Sequence, residues 1–314
     1  MIKRNLVVIS FVLLGACSTT PSSVQKAPAK AEAPLAQIEE MAKHYERAGE
    51  QDKALVYYLK ALENAPKDID LIYRVAELHK QMGKPQFALH MLQRIIDAEP
   101  THINALTDAA KILLQNKELA KATDYFARVT ALDQARLKEK ANIQSFYAGT
   151  DASSPLDAYN GLGVAYDLMG SYDKAKEMYA LSLQIAPYSP VVLTNMGYSH
   201  YLSGNYSASI SAFHKAIDAA PSYERSWTNL GLVYARMGRY NKAFQTLKRV
   251  MEDAQAYNDL GYFLMLEQRY EEAEYFFEQA IAASPKYYEV AYENLSDVRQ
   301  HLSVIKGEGD RFMP

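Results

Sequence analysis

From Leu35 to Tyr287 bulky, small and turn-forming residues recur along the chain with a period of 34. The small residues Ala42, Ala76 and Ala110 step by 34 twice, and Gly163, Gly197 and Gly231 do the same. Pro66 and Pro100 stand 34 apart, as do Pro187 and Pro221. Self-similarity at such a period predicts supersecondary units that cannot bury their apolar faces alone and therefore stack on one another. Each unit reads as two helices. A glycine (Gly49, Gly83, Gly170, Gly204, Gly238) suits the turn after the first helix, and the proline stands where the second must stop. Small residues let the paired helices approach closely, while the bulky ones fill the gap between neighbouring hairpins.

The units resemble tetratricopeptide repeats, which place a bulky residue at position 4, Leu-Gly or Leu-Ala at 7 and 8, Tyr at 11, Ala at 20 and 27, an aromatic residue at 24 and Pro at 32. The unit beginning near Leu156 carries Tyr159, Leu162-Gly163, Tyr166, Ala175, Tyr179 and Pro187. The next three carry Met196-Gly197 with Phe213, Leu230-Gly231 with Tyr234, and Leu260-Gly261 with Phe277. Three looser units precede them, marked by Met41-Ala42, Val75-Ala76 and Ala109-Ala110. The resemblance implies an all-α, right-handed solenoid of about seven helical hairpins with a concave groove and a C-terminal capping helix. Val290, Tyr292, Leu295, Val298 and Leu302 are expected to line one side of that last helix, within residues 288–314.

Two steps break the period. Ala110 to Gly163 is 53 residues, which places an insertion at 137–155 and divides a three-repeat block at 35–136 from a four-repeat block at 156–287. The stretch 149–155, GTDASSP, has loop composition, and the two blocks are expected to hinge there. Gly231 to Gly261 is only 30, which predicts a shortened hairpin around Val250-Met251-Glu252-Asp253.

The first 34 residues follow a different pattern. Lys3 and Arg4 precede an apolar run from Leu6 to Leu14, too short for a membrane span of ~20 residues, and small residues follow it. Residues 1–16 therefore read as a signal peptide. Leu14-Gly15-Ala16-Cys17 resembles the bacterial lipobox, which implies lipid on Cys17 and anchoring to the membrane. With Ser18 rather than aspartate after the cysteine, the resemblance implies the periplasmic face of the outer membrane in a Gram-negative host. Residues 17–34, rich in Ser, Thr, Pro, Ala and Lys, cannot bury enough apolar surface to fold and are expected to form a tether.

Candidate chemistry is sparse. Cys17 is the only cysteine, so no disulfide, thiolate metal cluster or redox pair is available. No His-Glu-x-x-His, Gly-x-Ser-x-Gly or phosphate loop occurs, and the seven histidines are scattered. The reading is a non-catalytic protein with no cofactor, no metal and no small-molecule substrate. The net charge of −3 becomes about −5 without Lys3 and Arg4, and no basic stripe remains for nucleic acid.

Function is then expected on the groove. By the tetratricopeptide resemblance, positions 2, 5, 9, 12 and 13 of each first helix face it. In the C-terminal block these supply Asn160, Val164 and Leu168; Thr194, Tyr198, Tyr201 and Leu202; Arg225, Leu232 and Arg236; and Asn258, Tyr262 and Met265. In the N-terminal block they supply Glu39, Lys43, Glu46, Arg47, Glu77 and Lys80, a charged surface. Tyrosine offers large rigid contact area with a polar tip, which suits an apolar peptide or helix of a protein partner.

Lipobox and repeats together, with Tyr257-Asn258-Asp259-Leu260-Gly261-Tyr262-Phe263-Leu264 followed by Gln268-Arg269-Tyr270-Glu271-Glu272-Ala273, resemble the TadD lipoproteins of the tight-adherence (Tad, Flp pilus) system, and more distantly the type IV pilus pilotins. That resemblance implies a role in assembling or stabilising a pilus secretin. The competing reading is a periplasmic adaptor that recruits peptidoglycan hydrolases or proteases.

Overall fold

The computed structural model of the protein describes residues 34–141 and 149–309, with side chains through residues 140 and 305 of those two stretches. The leader, Cys17 and all of the tether but Pro34 lie outside the described residues, as do 142–148 of the expected insertion and 310–314 of the tail.

Fifteen helices and no strand occur among the described residues. They pair as α1 (Leu35–Arg47) with α2 (Gln51–Asn64), α3 (Ile69–Gln81) with α4 (Pro85–Ala98), and α5 (Ile103–Gln115) with α6 (Leu119–Ala141). The second group pairs α7 (Leu156–Leu168) with α8 (Tyr172–Ile185), α9 (Pro190–Leu202) with α10 (Tyr206–Ala219), α11 (Glu224–Arg236) with α12 (Tyr240–Leu247), and α13 (Asp253–Leu266) with α14 (Tyr270–Ala283); α15 (Glu289–Gly309) closes the array. Each second helix packs on its own partner and on the next first helix, so the core runs on from hairpin to hairpin. None of these helices is long and apolar enough to cross a membrane.

Local chemistry explains the hairpins. Gly49, Gly83, Gly170, Gly204 and Gly238 end the first helices at φ between 68° and 75°, the left-handed region where a Cβ is penalised. The Asp68, His102 and Ser189 side chains accept hydrogen bonds from Leu71, Ala105 and Val192 N–H and so cap the next first helices. Inside each C-terminal hairpin a glycine lets a large side chain lie on the helix backbone. A Cβ on Gly163 would come within 2.6 Å of the Tyr179 ring, and one on Gly197 or Gly261 within 2.7 or 2.8 Å of Phe213 or Phe277. In the N-terminal block successive hairpins are also clasped by arginine: Arg94 and Arg128 donate to the carbonyls of Pro66 (2.8 Å) and Pro100 (2.6 Å).

The break at 30 residues gives the shortened hairpin expected of it. α12 has 8 residues where the other second helices have 14 or more, and Leu247 takes the aromatic's place against Gly231. At the longer break α6 carries on to Ala141, so helix continues into the segment expected as an insertion. Residues 149–155 are tied down. Gln134 Nε2 donates to Gly149 O (2.8 Å), Arg136 bridges Asp133 (2.6 Å) and Asp151 (2.8 Å), and Thr150 Oγ1 donates to Leu181 O (3.0 Å). Across the same junction Tyr159 donates to Asp133 (2.9 Å), Lys111 pairs with Asp157, and the Phe126 ring covers Gly161. In α15, Leu295, Val298 and Leu302 are buried together with Ala291; Val290 and Tyr292, expected beside them, point to solvent because they flank Ala291 by 100° either way.

Candidate functional site: the groove across the first helices

The first helices lie side by side, and bonds between neighbours form a floor that differs between the two blocks. In the N-terminal block the links are ionic. Arg74 pairs with Glu46, Lys80 with Asp108 (2.7 Å), and Tyr73 donates to Asp108 (2.8 Å). In the C-terminal block they are mostly neutral. Asn195 donates to Asn160 (3.0 Å), Thr194 and Ser226 share a hydrogen bond (2.7 Å), and Asn294 donates to Asn258 (3.0 Å). Charge enters through the Arg236–Glu267 pair (3.0 Å) and through Asp167, which accepts from Ser199 and Tyr179, both at 2.7 Å. Burial pushes the Asp167 carboxyl up, while those two hydrogen bonds pull the other way.

Above the C-terminal floor α9, α11 and α13 enclose a recess of about 700 Å³. Of the expected groove residues, Tyr198, Tyr201, Leu202, Arg225, Leu232 and Arg236 meet there. Tyr198 and Tyr201 stack at 5.7 Å, and Tyr206 tilts against Tyr201 at 6.0 Å. Burial, followed by the negative charge of Glu267, pushes the Tyr201 hydroxyl up to about 12. One end of the recess is closed by Arg236, whose Nε donates to Tyr206 (3.3 Å) and whose Nη1 lies 3.0 Å from Glu267 Oε1. The Tyr206 hydroxyl and then Glu267 hold that guanidinium protonated.

The other expected residues do not join it. Thr194 and Asn258 are buried in the floor, bonded to Ser226 and Asn294, and Asn160 is half-buried in the same role. In α7, α9 and α13 position 5 therefore faces the neighbouring first helix, not the groove. Val164 and Met265 are half-buried outside the recess, whereas Leu168 and Tyr262 are exposed, 57% and 42%, beyond its edge. Leu266, at position 13 of its unit, lines it too, and five residues complete the lining that the repeat positions did not indicate: Gly204, Tyr206, Asn229, Phe263 and Glu267. Asn229 falls four residues after Arg225 and three before Leu232, one helical face. Phe263 and Glu267 stand one residue further along their unit than the expected positions, in the helix that follows the short α12. The N-terminal recess, about 800 Å³, is lined by Glu39, Glu40, Glu46, Asp68 and Asp70 against Lys43, Arg47 and Arg74.

Comparisons with known proteins agree with this architecture. The family described as "Tetratricopeptide repeat" matches residues 156–189, 194–251 and 245–288, and that described as "N-terminal acetyltransferase A, auxiliary subunit" matches residues 14–165. A solved tetratricopeptide repeat protein from Parabacteroides merdae is 17% identical with a TM-score of 0.60, over 84% of this chain and 98% of that one. The Cut9-Hcn1 hetero-tetramer of the APC/C is 16% identical with a TM-score of 0.53, over 82% of this chain and 48% of that one. The general transcriptional corepressor trfA of Dictyostelium discoideum is 29% identical over 140 residues, 45% of this chain and 9% of that protein. The chain thus spans about a tenth of the curated relatives it matches. These likenesses are to the fold, and the repeat matches agree with it: the chain folds as a tetratricopeptide-repeat solenoid.

Proposed function

We propose that the protein is a non-catalytic scaffold that holds a segment of another protein in the groove of its C-terminal block. The observation that carries this reading is the recess across α9, α11 and α13, where three tyrosines and Phe263 meet two arginines. Aromatic side chains with polar tips and arginine are the residue types that concentrate binding energy at protein interfaces. The auxiliary-subunit profile over residues 14–165 accords with a protein that acts beside another. Together with the lipobox-like Leu14-Gly15-Ala16-Cys17 and the likeness to the TadD lipoproteins, this supports a scaffold tethered through Cys17 to the outer membrane that serves assembly of a pilus secretin.

The test is deletion of the gene, followed by an assay for heat-resistant secretin multimers in outer-membrane fractions. Multimers should vanish and return with the wild-type gene, but not with Tyr198→Ala combined with Leu232→Asp. A Cys17→Ala protein should leave the membrane fraction. Unchanged multimers and intact pili refute the pilus role and direct pull-downs to envelope hydrolases.

A further inference from the structure

Arg225 stands at the start of α11, exposed, on the rim of the tyrosine recess. Among the described residues no carboxylate pairs with it and no side-chain hydrogen bond engages it. Arg236, at the other end of the same helix, is neutralised by Glu267 at 3.0 Å. The lining therefore holds two arginines against one glutamate, a positive recess on a chain whose net charge is −3. The charge is also lopsided, with a free guanidinium at one end and a closed ion pair at the other. The N-terminal recess has the opposite sign, five carboxylates against three cations.

A free guanidinium beside aromatic walls recognises a carboxylate, since its planar fork donates two parallel hydrogen bonds and the rings keep water off them. Eleven residues of helix put Arg225 and Arg236 about 16 Å apart, the reach of about five residues of extended peptide. We infer that the groove takes a segment of a partner protein in which an Asp or Glu seats on Arg225 and apolar or aromatic residues within about five positions cover Tyr198, Tyr201 and Leu232. A second carboxylate at the far end would meet Glu267, so the single free cation sets the segment's direction. This inference rests on the groove being the partner-binding face.

The experiment is a selection of phage-displayed dodecapeptides on the full folded chain, counter-selected on Leu232→Asp, with winners measured as synthetic peptides by fluorescence anisotropy. Winners should be enriched in Asp or Glu next to Leu, Phe or Tyr. They should weaken about tenfold or more with Arg225→Gln, much less with Arg225→Lys, and also with rising salt. Winners that need Leu232 but carry no acidic preference and ignore Arg225→Gln overturn the inference while the groove reading stands. If no peptide is enriched over the Leu232→Asp counter-selection, both fall. Arg225 is exposed, so circular dichroism and the melting temperature of Arg225→Gln should match the wild type and exclude misfolding.

Discussion

At the scale of single residues the repeat is written in backbone constraints. Gly197 is helical, and alanine there would gain helix propensity, yet its Cβ would stand 2.7 Å from the ring of the fully buried Phe213. The clash outweighs the propensity, and Gly197→Ala should cost about 1–3 kcal/mol in urea unfolding. An unchanged midpoint would show that the ring slides aside freely. The reverse change is available where the turn glycine is missing. Lys117 and Gln268 hold φ of 64° and 60° at the sites that glycine fills in the other hairpins. Lys117→Gly should stabilise by about 0.5–1 kcal/mol, the left-handed penalty less the entropy of glycine, while Gly83→Ala loses about 1 kcal/mol. These roles were legible in the sequence because a glycine at a fixed offset has few explanations. Thr194 and Asn258 were not, because a small polar residue suits a groove wall and an interhelical hydrogen bond equally well. Only the packing of α9 against α11 and of α13 against α15 separates the two.

At the scale of elements, the spacing of small and bulky residues located the hairpins and the shortened α12. It was less informative about faces, since a first helix touches its own partner, the preceding hairpin and the following one, and is apolar most of the way round. In α9, Val192, Leu193, Thr194, Asn195, Gly197 and Ser199 are all buried. The mostly neutral floor of this block isolates one titration. Asp167 lies buried between Ser199 and Tyr179 with its carboxyl raised, so the folded protein takes up that proton before the unfolded chain does. Its sign is therefore opposite to that of a salt-bridged carboxylate: as pH falls from 7 through the raised value, Asp167 adds stability, and it withdraws that stability as pH rises again. In thermal melts between pH 7 and pH 4, the stability of wild type relative to Asp167→Asn should grow towards acid. A difference that stays flat or shrinks would mean that Asp167 titrates normally. Asp151 behaves in the usual direction, because Arg136 holds its carboxyl well below the ordinary range.

At the scale of the whole molecule, the two breaks in the period differ in strength. The junction at 149–155 carries Arg136 between two aspartates, the Tyr159 hydroxyl on Asp133 and the Lys111 pair, so opening it as a hinge would break several bonds at once. The 30-residue step is held more lightly, by the Lys248–Asp253 pair (2.8 Å), the Tyr240 hydroxyl between Arg269 and Glu272, and the Phe244–Tyr257 stack. α12 offers Ala243, Thr246 and Leu247 to the core, where α10 offers five buried residues and α14 four, and the chain then turns through residues 248–252 into α13. In a linear array, stability is a sum of unit and neighbour terms, so the hairpin with the smallest interface opens first. Amides of residues 240–252 should therefore exchange with deuterium faster than those of α10 and α14; equal protection from 206 to 283 would mean that the array opens only as a whole. This weak point backs the groove, because α12 packs on α11 and α13, both of which line it. A segment seated against Tyr201, Leu232 and Phe263 crosses the first helix of the short hairpin without touching α12. Binding of an acidic-apolar peptide should then slow exchange in residues 240–252, none of which lines the recess. Protection confined to α9 and α11 would place the segment on one wall only and remove Phe263 and Glu267 from the site.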